Sequence, residues 1–254
     1  MDAVRLALLV GLIVCLPGCA GDDGKASDGA RPALRNVYSL TIDGAAREAG
    51  DRAGVDLEAL LRRSVEEVLS QLPHRGRVEI NVKVDPASVV PEVGVGGFAD
   101  PRDGAVTIWL DKPLREGAEI WVPATLAHEL HHSSRIRTGP GYGTTLAEAL
   151  VTEGLADHFS REVFPETPPQ PWANALSRKQ EMQLWRKAQP DLEIPGGYDH
   201  WSWFLGGPDL PRWTGYTLGY RIVAGYLGDK RRASAEVRTD AHRIIGPYAA
   251  ANRH

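Results

Sequence analysis

Apolar and polar positions alternate with a period of two over Val37 to Ile42, Val78 to Val84 and Ala105 to Leu110, which predicts three strands. Between the first two, Leu57 to Leu72 repeats its apolar residues at helical spacing, and Pro73 stops the predicted amphipathic helix. From Trp121 onward the spacing is helical almost throughout, interrupted at the Pro- and Gly-rich stretches Pro165 to Pro171 and Pro190 to Pro211. This order predicts an α+β domain, with a small N-terminal sheet and its helices followed by a mostly helical C-terminal half. Gly94 to Gly97 reads either as a loop over a cleft or as glycines serving turn chemistry alone.

A different pattern occupies the N-terminus. Arg5 precedes an unbroken apolar run from Leu6 to Leu16, short for a bilayer span but suited to the core of a signal peptide. The run ends in Leu16-Pro17-Gly18-Cys19, which resembles the bacterial lipobox, in which the peptide is cut before a Cys that becomes diacylated. The expected organisation is a lipoprotein signal peptide over 1–18, lipidation at Cys19, a flexible Gly-, Asp- and Ser-rich tether over 19–33, and one domain over 34–254. The protein would then be exported and held on the cell envelope by its N-terminal lipid, with plain secretion as the alternative. Cys15 and Cys19 are the only cysteines, so the folded domain has neither a disulfide nor a thiolate metal site.

Composition narrows the classes further. A content of 43% hydrophobic and 24% charged residues over 254 positions fits a globular domain rather than disorder or a membrane bundle. A net charge of -4 without a run of Lys or Arg excludes a nucleic-acid partner, because phosphate binding needs a basic footprint. The oligomeric state is not legible.

Candidate chemistry concentrates in His128-Glu129-Leu130-His131-His132, a match to H-E-x-x-H. Two His four positions apart on a helix share one face and can bind a single zinc ion. Leu126 and Leu130 fall opposite them, so one face can enter the core, and Pro123 is placed for a first-turn residue. Glu129 lies about 100° around from His128, where a carboxylate can take a proton from a metal-activated water. His131 lacks the required spacing and reads as a neighbour.

Catalytic zinc needs a third protein ligand and an open position. In the predicted helix Thr145 to Phe164, Thr145 and Glu148 form a capping box, which gives Glu148 a structural role. Glu153 and Asp157 share a face with Leu146, Ala149 and Leu150, whereas His158 points some 140° away from Glu153. Acidic groups on an apolar face are costly unless they bind metal or are paired. Glu153 is therefore the candidate third ligand, and Asp157 a carboxylate that orients a ligating His by accepting its other ring N–H.

These residues resemble the gluzincins, in which H-E-x-x-H on one helix is joined by a Glu on a following helix, often with an acidic residue four positions later. His132 and Glu153 are 21 positions apart, which a helix-loop-helix accommodates. With Glu153-Gly154-Leu155-Ala156-Asp157-His158-Phe159, the motif is also similar to a bacterial domain-of-unknown-function family of predicted Zn-dependent proteases, over roughly Val78 to Leu227. The resemblance implies a zincin-like fold with one zinc ion on His128, His132 and Glu153, which lowers the pKa of a water to about 7. Glu129 would act as general base in hydrolysing a peptide or protein substrate. It extends to Gly215-Tyr216-Thr217-Leu218-Gly219-Tyr220, where either Tyr216 or Tyr220 could donate to the oxyanion, or both could be core residues. His200, in a Trp-rich loop with Trp201 and Trp203, is a weaker candidate for that role. The strand Ala105 to Leu110 resembles the edge strand on which zincins lay an extended peptide. Two rivals stay open: an inactive zinc-bearing lipoprotein that binds a partner, and a zinc amidase acting on the cell wall.

Overall fold

The computed structural model describes residues 37–252, so the expected signal peptide, the Cys19 lipidation site and the tether lie outside the described residues. Four strands, β1 (Tyr38–Ile42), β2 (Val78–Val84), β3 (Val95–Ala99) and β4 (Val106–Leu110), form one mixed sheet in the order β1-β2-β4-β3. The first three neighbours run parallel, and β3 pairs antiparallel to β4 at the edge. In β2 the alternation is complete: Val78, Ile80 and Val82 are buried while Glu79, Asn81 and Lys83 alternate with them on the other face. Helix α1 (Gly44–Ala53) packs on β2 and α3 (Ala118–Thr138) on β3 and β4, with α2 (Leu57–Gln71) packed against α1 and α3. Asp43 and Asp56 cap α1 and α2 by accepting from the amides of Ala46 and Ala59, and α2 gives way to an extended Leu72 ahead of Pro73.

Two expectations about the sheet are corrected. Gly94 to Gly97 is not a loop, because Val95, Gly96 and Gly97 belong to β3. Nor is β4 the edge strand, because β3 covers its outer side. Glycine has low strand propensity, but no other residue fits here. A Cβ on Gly96 would stand 2.0 Å from the carbonyl oxygen of Ser88, and one on Gly97 would stand 2.5 Å from Cγ of Glu129.

The second half is helical: α4 (Leu146–Val163), α5 (Arg178–Ala188), the short α6 (His200–Leu205) inside the expected Pro190 to Pro211 loop, α7 (Thr214–Leu227) and α8 (Ala241–Ala251). The capping box forms as expected, with the Thr145 hydroxyl accepting from the Glu148 amide and the Glu148 carboxylate accepting from the Thr145 amide. Pro123 is not in the first turn of its helix. Gly117 takes the left-handed conformation and starts α3 at Ala118, which puts Pro123 in the second turn. Helices α4 and α7 cross glycine on glycine. A Cβ on Gly154 would lie 2.2 Å from the carbonyl oxygen of Gly219, and one on Gly219 would lie 2.2 Å from that of Leu150. The fully buried carboxylate of Glu181 ties this half together by accepting from Arg178, Arg221 and Tyr248 on α5, α7 and α8.

Candidate metal centre

Helix α3 presents His128 and His132 on the face toward α4, where Glu153 and Asp157 are one turn apart. His128 Nε2 lies 2.9 Å from His132 Nε2 and 3.1 Å from Glu153 Oε2, and His132 Nε2 lies 3.5 Å from the same oxygen. Two imidazole nitrogens and a carboxylate oxygen thus converge on one point, a set that could hold a metal ion. Four-coordinate zinc with bonds of about 2.0 Å places neighbouring donors roughly 3.3 Å apart, and the observed separations bracket that value. The donor chemistry fits zinc as well.

The surroundings fix the orientation of these donors. Asp157 is fully buried, and its Oδ1 accepts from His128 Nδ1 at 3.0 Å. That bond places the ring proton on Nδ1 and leaves Nε2 free to face the centre. The other oxygen of Asp157 accepts from Trp172 Nε1 at 2.6 Å. Glu153 is held similarly: Oε1 accepts from the Tyr142 hydroxyl at 2.8 Å, so only Oε2 faces the His pair. Neither Tyr142 nor Trp172 was legible as a site residue. Tyr142 lies in the loop between the two ligand helices and Trp172 follows a Pro-rich stretch, and only their flanking glycines and prolines hinted at fixed turns.

Electrostatics agree with a cation-ready site. Burial opposes charge on His128, but the carboxylates of Asp157 and Glu153 outweigh it and lift its pKa well above the usual imidazole range. Burial likewise pushes Glu153 up, and His132 and His128 overcome it and hold the carboxyl well below its usual range. Burial raises the carboxyl of Glu129 despite the neighbouring imidazoles. Tyr142 and Tyr216 are both driven well above the usual phenol range, first by burial and then by Glu153, so each hydroxyl keeps its proton as a donor.

Glu129 sits beside the centre rather than in it. With His128 it lines a cavity of about 80 Å³ between β3 and α7, and Tyr216 lines the same cavity. Tyr220 is not brought there. It stacks on His158 at 4.2 Å, and its hydroxyl accepts from Arg161 at 2.8 Å. The Gly154–Gly219 crossing separates the two tyrosines, leaving Tyr216 on the Glu153 side and Tyr220 on the side of His158. His200 stands behind Tyr142, whose ring is 5.8 Å from His132 and 5.9 Å from His200. His131 turns away and packs on Phe159 at 5.3 Å.

Residues 59–246 match the family described as predicted Zn-dependent protease (DUF2268). The chain belongs to that family. Two relatives in Bacillus subtilis (strain 168) are similar to it. The uncharacterized protein YjfC is 24% identical over 223 residues, which is 78% of this chain and 74% of that protein. The uncharacterized protein YjaZ is 28% identical over 119 residues, 45% of this chain and 46% of that protein. No solved structure matches. The matched span contains both ligand helices, β3 and the aromatic residues of the cleft, so the whole candidate centre lies within the family region.

Proposed function

We propose that the protein is an exported, lipid-anchored zinc metallopeptidase. The observation that carries this reading is the convergence of His128, His132 and Glu153 with the carboxyl of Glu129 beside them in a cleft. His128, His132 and Glu153 would hold one zinc ion, which supplies a Lewis acid that polarises the scissile carbonyl and lowers the pKa of water. Glu129 takes the proton of the attacking water and passes it to the leaving amine, a role suited to a carboxyl whose pKa burial has raised. Tyr216, protonated and in the same cavity, is the donor for the oxyanion. Asp157 and Tyr142 keep the ligands aimed. Edge strand β3 runs past Glu129 at Gly97; its Val95 carbonyl already accepts from the Val90 amide, so the main chain from Gly97 onward is the part left to pair with an extended peptide.

Among the described residues no helix is long and apolar enough to cross a membrane. The proposed anchor is the lipid on Cys19, a reading supported by Arg5, the Leu6 to Leu16 run and the lipobox-like Leu16-Pro17-Gly18-Cys19. The wild type should incorporate labelled palmitate and Cys19→Ala should not; a wild type without label would count against lipidation. Glu129→Gln tests the chemistry. It should keep about one zinc per chain, read by plasma mass spectrometry, and lose peptide hydrolysis by about 10²–10⁴-fold. Undiminished hydrolysis in the variant would remove Glu129 from the role of base.

A further inference from the structure

The two walls of the cleft beside the centre differ. One is β3 with the segment leading into it, where Val93 and Val95 face the cavity. The other is aromatic. Trp172 lies 5.2 Å from Trp213 and 5.0 Å from Tyr216, Trp213 lies 5.6 Å from Tyr216, and Phe204 braces Tyr216 edge-on at 5.0 Å. Rings locked against one another in this way make a preformed wall rather than a flexible one. Leu205 adds an aliphatic edge.

Trp213 sets this wall at a backbone cost. Its φ is +71°, the only positive value on a non-glycine among the described residues, and an L side chain with no local polar group is disfavoured there. Strain of this kind persists where the surrounding structure requires the side chain's position, and here the indole forms the face of the cavity. No charged side chain lines the cavity besides His128 and Glu129. Charges near its mouth are already matched: Arg212 donates to both oxygens of Glu92, at 2.6 and 3.2 Å, and its guanidinium covers Trp213 at 3.9 Å. This ion pair joins the segment before β3 to the segment before α7, so it also spans the two walls.

We infer that this slot is the specificity pocket for a bulky uncharged side chain, aromatic or branched aliphatic, on the substrate residue next to the scissile bond. The inference rests on the peptidase reading above. An apolar side chain entering the slot leaves water for a mostly apolar, aromatic surface, whereas an acidic one is stripped of water and faces the carboxyl of Glu129, with only the uncharged Ser88, Thr125 and Gln170 beside it. A slot of this kind discriminates by volume, with each methylene worth roughly tenfold or more in kcat/KM.

The test is cleavage of a peptide mixture by the zinc-loaded full chain, with the cut bonds read by mass spectrometry. Bonds flanked by Phe, Leu, Trp or Met should be cut at least about tenfold faster than those flanked by Ala. Bonds flanked on both sides by Asp or Glu should stay intact. Leu205 is only half-buried, so Leu205→Glu can carry a charge at the rim. It should open cleavage beside Lys or Arg while zinc content is unchanged. Trp213→Gly relieves the positive φ, removes the wall and should flatten the preference. Cleavage indifferent to side chain in the wild type, or the wild-type preference persisting in both variants, would overturn the pocket and leave the peptidase reading standing. Failure of the folded, zinc-loaded wild type to cut any peptide would overturn that reading and the pocket together.

Discussion

Gly154→Ala tests whether the helix crossing sets the centre. In an ordinary helix interior, Ala in place of Gly gains roughly 1 kcal/mol from propensity alone. Here the new Cβ would stand 2.2 Å from the carbonyl oxygen of Gly219, 2.5 Å from its carbonyl carbon and 2.7 Å from Cγ2 of Val223. Ordinary contact begins at 3.4 Å, so α4 and α7 must separate by about 1 Å. The blocking atom is main chain and no rotamer change relieves it, which places the cost at the upper end of the roughly 1–3 kcal/mol of overpacking. The net expectation is a loss of about 2 kcal/mol, a fall in Tm of roughly 4–8 °C for a domain of this size. Gly219→Ala should behave alike, because its Cβ would meet the carbonyl oxygen of Leu150 at 2.2 Å. Gly225→Ala, on the same helix with nothing within 4 Å, is the control and should be neutral or stabilising. Glu153 adjoins Gly154, and displacing a ligand by about 1 Å can reduce turnover by roughly 10²-fold. Urea unfolding and zinc content would be measured on the four proteins side by side. If Gly154→Ala and Gly219→Ala were as stable as Gly225→Ala, the crossing would not be a close one and the reasoning would fail.

Three other outcomes follow from the site. Asp157→Asn replaces an acceptor for Trp172 and His128 and should weaken zinc binding by about 10–100-fold, read by chelator competition; unchanged affinity would exclude an orienting role for Asp157. Gly97→Ala would place a Cβ 2.6 Å from Oε1 of Glu129, so it should lower peptide turnover while leaving zinc bound, and equal turnover would detach β3 from the base. His158 donates from Nε2 to the carbonyl of Tyr220, and burial holds its pKa below the usual value. The unfolded chain therefore binds a proton that the folded chain refuses, and stability is full above about pH 6.5 and falls as the pH drops below it. Burial lowers His131 and His200 as well, so in the metal-stripped chain His158→Phe, which keeps a ring against Tyr220, should reduce that loss between pH 7 and 5 without abolishing it, and an unchanged slope in urea midpoints would assign the acid sensitivity to those other imidazoles.

Much of the centre was legible because it is local. His128 and His132 on one face, Glu129 beside them, the Thr145–Glu148 cap and the shared face of Glu153 and Asp157 all follow from 3.6 residues per turn, and the structure places each accordingly. Alternation likewise located β1, β2 and β4. Tertiary structure decided what depends on approach between distant segments. Strand β3 was hidden by Gly96 and Gly97, which weaken the strand signal because Ser88 and Glu129 leave no room for side chains. Tyr216 and Tyr220 are equivalent on a helical wheel, and only the crossing of Gly154 on Gly219 sends one to the cleft and the other to His158. Tyr142 and Trp172 hold Glu153 and Asp157 from loops with no periodicity of their own. Helical and strand periods are properties of neighbouring residues, whereas a contact between loops or across a helix pair is set by packing, and packing exists only once the chain has closed.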